Sequence, residues 1–165
     1  HHTKGNVIRL TLLRSPKSPD EEADMGEHVF TYSIMPHAGD YISAQTVRRS
    51  YELNVPLTAL LAYASNGKTS RSTEKLPVRD SFFSVDAENV ILETVKKAEK
   101  EDATILRMYE CHNRRATVRV RVGLPFKKVM ECDLLERNTG EIKSRAGTFS
   151  FEIKPFEIRT FKLVR

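Results

Sequence analysis

The sequence has 165 residues, 39% of them hydrophobic and 30% charged. That is enough chain for one ordinary domain or two small ones with a real core, and it excludes a disordered tail. A net charge of +5 raises the question of a nucleic-acid partner, while no apolar run approaches the roughly 20 residues needed for a membrane-spanning helix.

From the N-terminus, "HHTKGNVIRL" is too short and too polar for a secretory core. His1 and His2 are set aside from any metal argument. Ile8, Leu10 and Leu12 then alternate with Arg9 and Thr11, and Phe30, Tyr32 and Ile34 alternate with Thr31 and Ser33. This period of two predicts strands with one dry face and one wet face, as in antiparallel sheets. Between them lies a carboxylate-rich loop with Asp20, Glu21, Glu22, Asp24 and Glu27.

The stretch "DYISAQTVRRSYELN" breaks the alternation. Ala44, Val47 and Tyr51 recur at helical spacing, Asp40 is suited to cap the N-terminus, and Pro56 stops the run. One short surface helix is expected. "SNGKTSRSTEK", residues 65–75, has no large apolar side chain and reads as a flexible loop or linker. Fresh strands start at "SFFSVDAENVILETVKKAE", so a module boundary is placed near residue 78, giving segments 1–78 and 79–165.

Further on, Val118, Val120 and Val122 alternate with Arg119 and Arg121, and Phe149, Phe151 and Ile153 with Ser150 and Glu152. Near the C-terminus Phe156 and Ile158 share a phase from which Phe161 and Leu163 have slipped by one residue. A bulge around Arg159 and Thr160 would return both sets to the core. Cys132 alternates with Met130 and Leu134, as a buried, reduced position would. With only one other thiol, Cys111, the chain lacks a disulfide framework, and the cytoplasm is the expected compartment.

No complete catalytic set emerges. "NGKTS" resembles the end of a phosphate-binding loop, but that motif needs a glycine where Ala62 stands. The acidic loop lacks the regular spacing, central glycine and terminal glutamate of a calcium loop. His28 heads a strand and His37 lies in the turn "MPHAGD". Neither has a second histidine or cysteine at supporting spacing, whereas zinc needs three or four ligands. Arg115, Arg119 and Arg121 share one strand face, but interleaved aromatics and recognised nucleic-acid motifs are missing. A solvated face is expected there, with no nucleic-acid partner and no membrane.

Two blocks resemble family 38 glycoside hydrolases, the α-mannosidases, in their bacterial form. The first is "GNVIRLTLLRSPKSPDEEADMGEHVFTYSIMPHAGDY" with "YELNVPL". The second is "SFFSVDAENVILETVKKAE", "ILRMYE", "ECDLLER" and the terminal "FEIKPFEIRTFKL". The resemblance implies an all-β fold of antiparallel sandwich modules, with the end of a large β-sandwich in 1–78 and a small terminal sandwich in 79–165. It also implies that this segment is not the catalytic part. In the family the aspartate nucleophile and the zinc ligands belong to an upstream N-terminal domain, where terminal α-linked mannose is hydrolysed with retention. No residue here matches those motifs, so zinc is expected in that domain and no cofactor in this segment.

By the same resemblance, the loop from Leu12 to His28 faces the catalytic domain. Arg14 is then a candidate for the edge of the mannose pocket, where a fixed guanidinium would bond sugar hydroxyls or catalytic-domain carboxylates. Asp20, Asp24 and His37 are further candidates for that edge. Alternatively, Arg14 only bridges the two domains. The expected partners are the N-terminal catalytic domain and an α-mannoside, and strands parted from their neighbours would also favour a homo-oligomer. Two rival readings are a stand-alone carbohydrate-binding module, which the absence of tryptophan disfavours, and a nucleic-acid-binding one.

Overall fold

The computed structural model describes residues 1–60 and 77–165. The expected linker at 65–75 and the "NGKTS" motif lie outside the described residues. The chain forms two compact units, His1–His37 and Ala38–Arg165.

In the first unit, β1 (His2–Lys4) and β2 (Val7–Arg9) make an antiparallel hairpin. Gly5 opens its two-residue loop at φ +59°, a left-handed angle that tight hairpin turns require and glycine adopts without strain. The expected longer strands do not form. Pairing stops at Arg9, and Phe30, Tyr32 and Ile34 stand outside any strand, with their side chains exposed. The physical reason is that alternation describes a strand only where a neighbour supplies the ladder and a second layer covers the dry face. Within this unit neither is supplied.

The second unit opens with a turn. Ser43 N–H donates to Asp40 Oδ1 (2.8 Å), and Asp40 N–H donates to Ser43 Oγ (3.1 Å). Asp40 therefore caps this turn and not the helix. The helix α1 (Thr46–Asn54) begins six residues after Asp40, following Gln45 at φ +52°. It ends two residues before Pro56, whose ring disfavours helical geometry in the residue before it.

Seven residues beyond the undescribed segment the sandwich starts. One sheet has the order β3 (Phe83–Val85), β6 (Ala116–Val122), β10 (Thr148–Ile153) and β9 (Ser144–Arg145). The other has the order β4 (Val90–Lys97), β5 (Ala103–Glu110), β11 (Ile158–Val164), β7 (Lys128–Cys132) and β8 (Asn138–Ile142). All pairs are antiparallel. Val118, Val120, Val122, Phe149, Phe151 and Ile153 face Leu106, Met108, Val129, Phe161 and Leu163 across a single core. The rings of Phe149 and Phe151 lie 5.1 and 4.5 Å from that of Phe161. This is the all-β, antiparallel fold that the alternation predicts, with the one short helix expected and the sandwich that the resemblance implies.

The proposed bulge in the last strand is absent. From Ile158 to Val164, β11 keeps an unbroken register with β5. Phe161 and Leu163 point into the sandwich, and Thr160 and Lys162 are buried on the opposite side. That opposite side is covered as well. The Tyr109 hydroxyl on β5 donates to that of Tyr51 on α1 (3.2 Å), and the Arg48 guanidinium donates to the carbonyls of Glu88 and Val90. A strand buried on both faces loses its clean alternation. Phe156 and Ile158 therefore remain outside the core, 63% and 53% exposed.

Candidate functional site

Arg14, Asp20, Asp24 and His37 all lie in the first unit, and all four are exposed. Two of the carboxylates shape the loop. Asp20 Oδ1 accepts the Glu22 N–H (3.0 Å), and Asp24 Oδ2 accepts the Ser15 N–H (3.1 Å). Asp24 itself takes φ +60°, which a short polar side chain tolerates, and its carbonyl lies 2.8 Å from His28 Nε2. The loop thus brings Asp24 against the peptide that follows Arg14. It does not pair the Arg14 guanidinium with Asp20 or Asp24. His37 closes the unit. Among the described residues, no three His, Cys, Asp or Glu side chains converge as a metal site.

The second unit holds two charged knots that sequence reasoning overlooked. The first is Glu110, only 1% exposed. Its Oε1 accepts from Asn89 Nδ2 (2.9 Å), His112 N–H (2.8 Å) and Arg114 N–H (3.2 Å), while Oε2 accepts from Phe156 N–H (2.9 Å). Burial by itself would raise this carboxyl's pKa. The Phe156 N–H, the Asn89 amide and the His112 and Arg114 N–H groups outweigh it and hold the pKa below its ordinary value. A signal was present, because Glu110 shares the inward phase of Leu106 and Met108 and so had to be satisfied by hydrogen bonds. The knot fixes the turn at residues 111–114 and the one at 154–157.

The second knot is Lys162, 3% exposed, whose ammonium donates to Glu101 Oε1 and the Glu136 carbonyl, each at 3.0 Å. Glu136 sits at φ +63° in a turn that Asp133 organises by accepting the Leu135 and Arg137 N–H groups. Its carboxylate accepts from Lys96 Nζ and from the Glu99 N–H, both at 2.9 Å. Two loops are thereby tied over the outer face of the five-stranded sheet. Here parity gave no signal, since Lys162 has the outward phase between the core residues Phe161 and Leu163.

Cys111 and Cys132 are both free and buried. Burial pushes both thiols' pKa values up, with Glu110 adding to the effect at Cys111. Neither environment is that of a reactive thiolate. Each is an inert position, as the alternation around Cys132 suggests.

Two antiparallel sheets closed over one apolar core define residues 83–164 as a β-sandwich domain. Within it, residues 89–161 match the family described as "Glycosyl hydrolases family 38 C-terminal beta sandwich domain". The chain is 38% identical over 166 residues to "Alpha-mannosidase 2C1" of Mus musculus and 37% identical over 166 residues to that of Homo sapiens. It is 36% identical over 167 residues to "Alpha-mannosidase G" of Dictyostelium discoideum. These alignments take in 98% or 99% of this chain but 15% of each relative. Residues 89–161 thus carry the C-terminal β-sandwich domain of glycosyl hydrolase family 38, and the chain spans about 15% of the length of the relatives it matches.

Proposed function

We propose that this chain is the non-catalytic C-terminal portion of a retaining α-mannosidase, and that it supports a catalytic domain carried on the same polypeptide. The observation behind this reading is the alignment of nearly the whole chain, both units included, with three proteins that are α-mannosidases by name. The first unit supports it too. Ile8, Val29 and Ile34 are 79%, 89% and 85% exposed, apolar side chains that further chain would cover. The zinc that the family resemblance implies does not fit the residues present, since the described ones offer no converging ligand set. By the family resemblance zinc chemistry belongs to the catalytic domain, and no step is assigned to it here.

In this reading the loop around Arg14 lines the rim of the mannose pocket. The guanidinium, held beside a peptide fixed by Asp24, donates to sugar hydroxyls, while Asp20, Asp24 and His37 complete the same edge. The two free thiols suit a reducing cytoplasm.

The test is complementation. This chain is combined with the upstream region, zinc is supplied, and hydrolysis of an aryl α-mannoside is followed. Activity that needs both pieces supports the reading. Arg14→Ala, with association retained, is expected to lower kcat/KM roughly tenfold or more, the cost of one charge-assisted hydrogen bond. Full activity of the upstream region alone overturns both the support role and the pocket edge.

A further inference from the structure

Residues Lys154 to Glu157 make a tight turn, closed by the Glu157 N–H donating to the Lys154 carbonyl (3.1 Å). Pro155 occupies the second position and Phe156 the third, at φ +54°. A left-handed third residue after proline is the type II pattern, and it favours glycine or asparagine. A bulky aromatic there is an outlier. Two things hold it in place: the Glu157 carboxylate accepts the Lys154 N–H (2.7 Å), and the buried Glu110 accepts the Phe156 N–H (2.9 Å).

The ring gains little burial in return, since Phe156 is 63% exposed. It lines instead a groove of about 360 Å³ between α1 and the sheet. Val47, Tyr109, Cys111 and Ile158 line this groove, so its walls are largely apolar. Strain at a bulky residue persists where surrounding structure over-determines it, and such residues cluster where something binds. Exposed, rigidly presented aromatics with apolar neighbours are the anchors of protein interfaces.

We propose that Phe156 and this groove form the docking surface for apolar side chains of the same polypeptide's remaining portion. The occupant follows from length, because nearly all of this chain aligns within relatives of which it makes up only 15%. The inference rests on the proposed function and adds the residues through which support is delivered.

The test uses the full-length polypeptide with the photoreactive analogue p-benzoylphenylalanine at position 156, and in a parallel control at Leu135, which is 73% exposed elsewhere on the sandwich. Mass spectrometry is expected to find cross-links from position 156 to peptides outside this chain, and their loss at position 135. Cross-links confined to this chain, or made to a second copy, overturn the proposal. Phe156→Asn supplies an independent arm, because asparagine accepts the left-handed backbone. It is expected not to lower the melting temperature of this chain alone, since it relieves the backbone strain, and to lower that of the full-length polypeptide. An unchanged full-length polypeptide overturns the groove while complementation by the wild-type chain still stands; failed complementation overturns the proposed function itself.

Discussion

Replacing Glu110 by glutamine separates shape from charge at the most buried carboxylate of the sandwich. The side chain keeps its size, and one oxygen can still accept from Asn89, His112 and Arg114. The other oxygen becomes an NH2 group facing the Phe156 N–H, donor against donor. One charge-assisted bond is lost, at about 1.5–3 kcal/mol, and the donors left without a partner cost about 1–3 kcal/mol more. The expected loss is therefore about 2.5–6 kcal/mol, seen as a lower urea midpoint at unchanged slope and a melting point lower by on the order of 10 °C or more.

The acid dependence gives this prediction its sharper edge. The folded pKa of Glu110 lies below its ordinary value of 4.5, so between the two the unfolded chain binds more protons than the folded one. Stability then rises with pH across that window, is complete above it, and is lost as pH falls through the folded pKa. Glutamine carries no such dependence. The gap between wild type and Glu110→Gln is expected to be full at pH 7 and to shrink on acidification. A gap under about 0.5 kcal/mol at pH 7, the usual range for surface changes, would refute the account of the knot. So would a gap that stays constant down to the acid transition.

Phe161→Ala removes the ring at the centre of the Phe149 and Phe151 contacts from a fully buried site. It is expected to cost about 3–5 kcal/mol in urea unfolding, with strands on both sides of the core affected together. Cys111 and Cys132 are expected to resist a thiol reagent at pH 8 in the folded state and to react at once in urea, since burial disfavours the thiolate. Prompt labelling of either thiol under native conditions would contradict its placement.

How far the fold could be read in advance depended on what lay on each side of a strand. β6 and β10 have one covered face and one wet face, so Val118 to Val122 and Phe149 to Ile153 announced their inward residues plainly. β11 sits between β5 and β7 and is covered on both sides, so its alternation dissolved and the register of Phe161 and Leu163 looked like a slip. Glu110 shares the inward parity of Leu106 and Met108, so its burial could have been read, whereas Lys162 has the outward parity and its burial could not. The partners that satisfy them come from turns distant in sequence, such as Phe156 and Glu136, and no local pattern names those.

Alternation in the first unit carries a different lesson. Ile8 to Leu12 and Phe30 to Ile34 keep a strand's period without forming the strand, apart from Val7–Arg9. Period records the environment in which a segment is selected, whereas a ladder needs a neighbour to be present. A segment that has the first without the second is one whose partner lies on other residues. The same logic applies at Phe156, where a strained backbone and an exposed ring are both explained by a covering surface. Both units present exposed apolar side chains, and in the proposed reading further chain covers them. Arg14 lies in the same unit as the unpaired strands, so any role at a sugar depends on that covering chain setting its position. An isolated chain that melted cooperatively as a monomer, with Ile8 and Ile34 protected from solvent, would break this link.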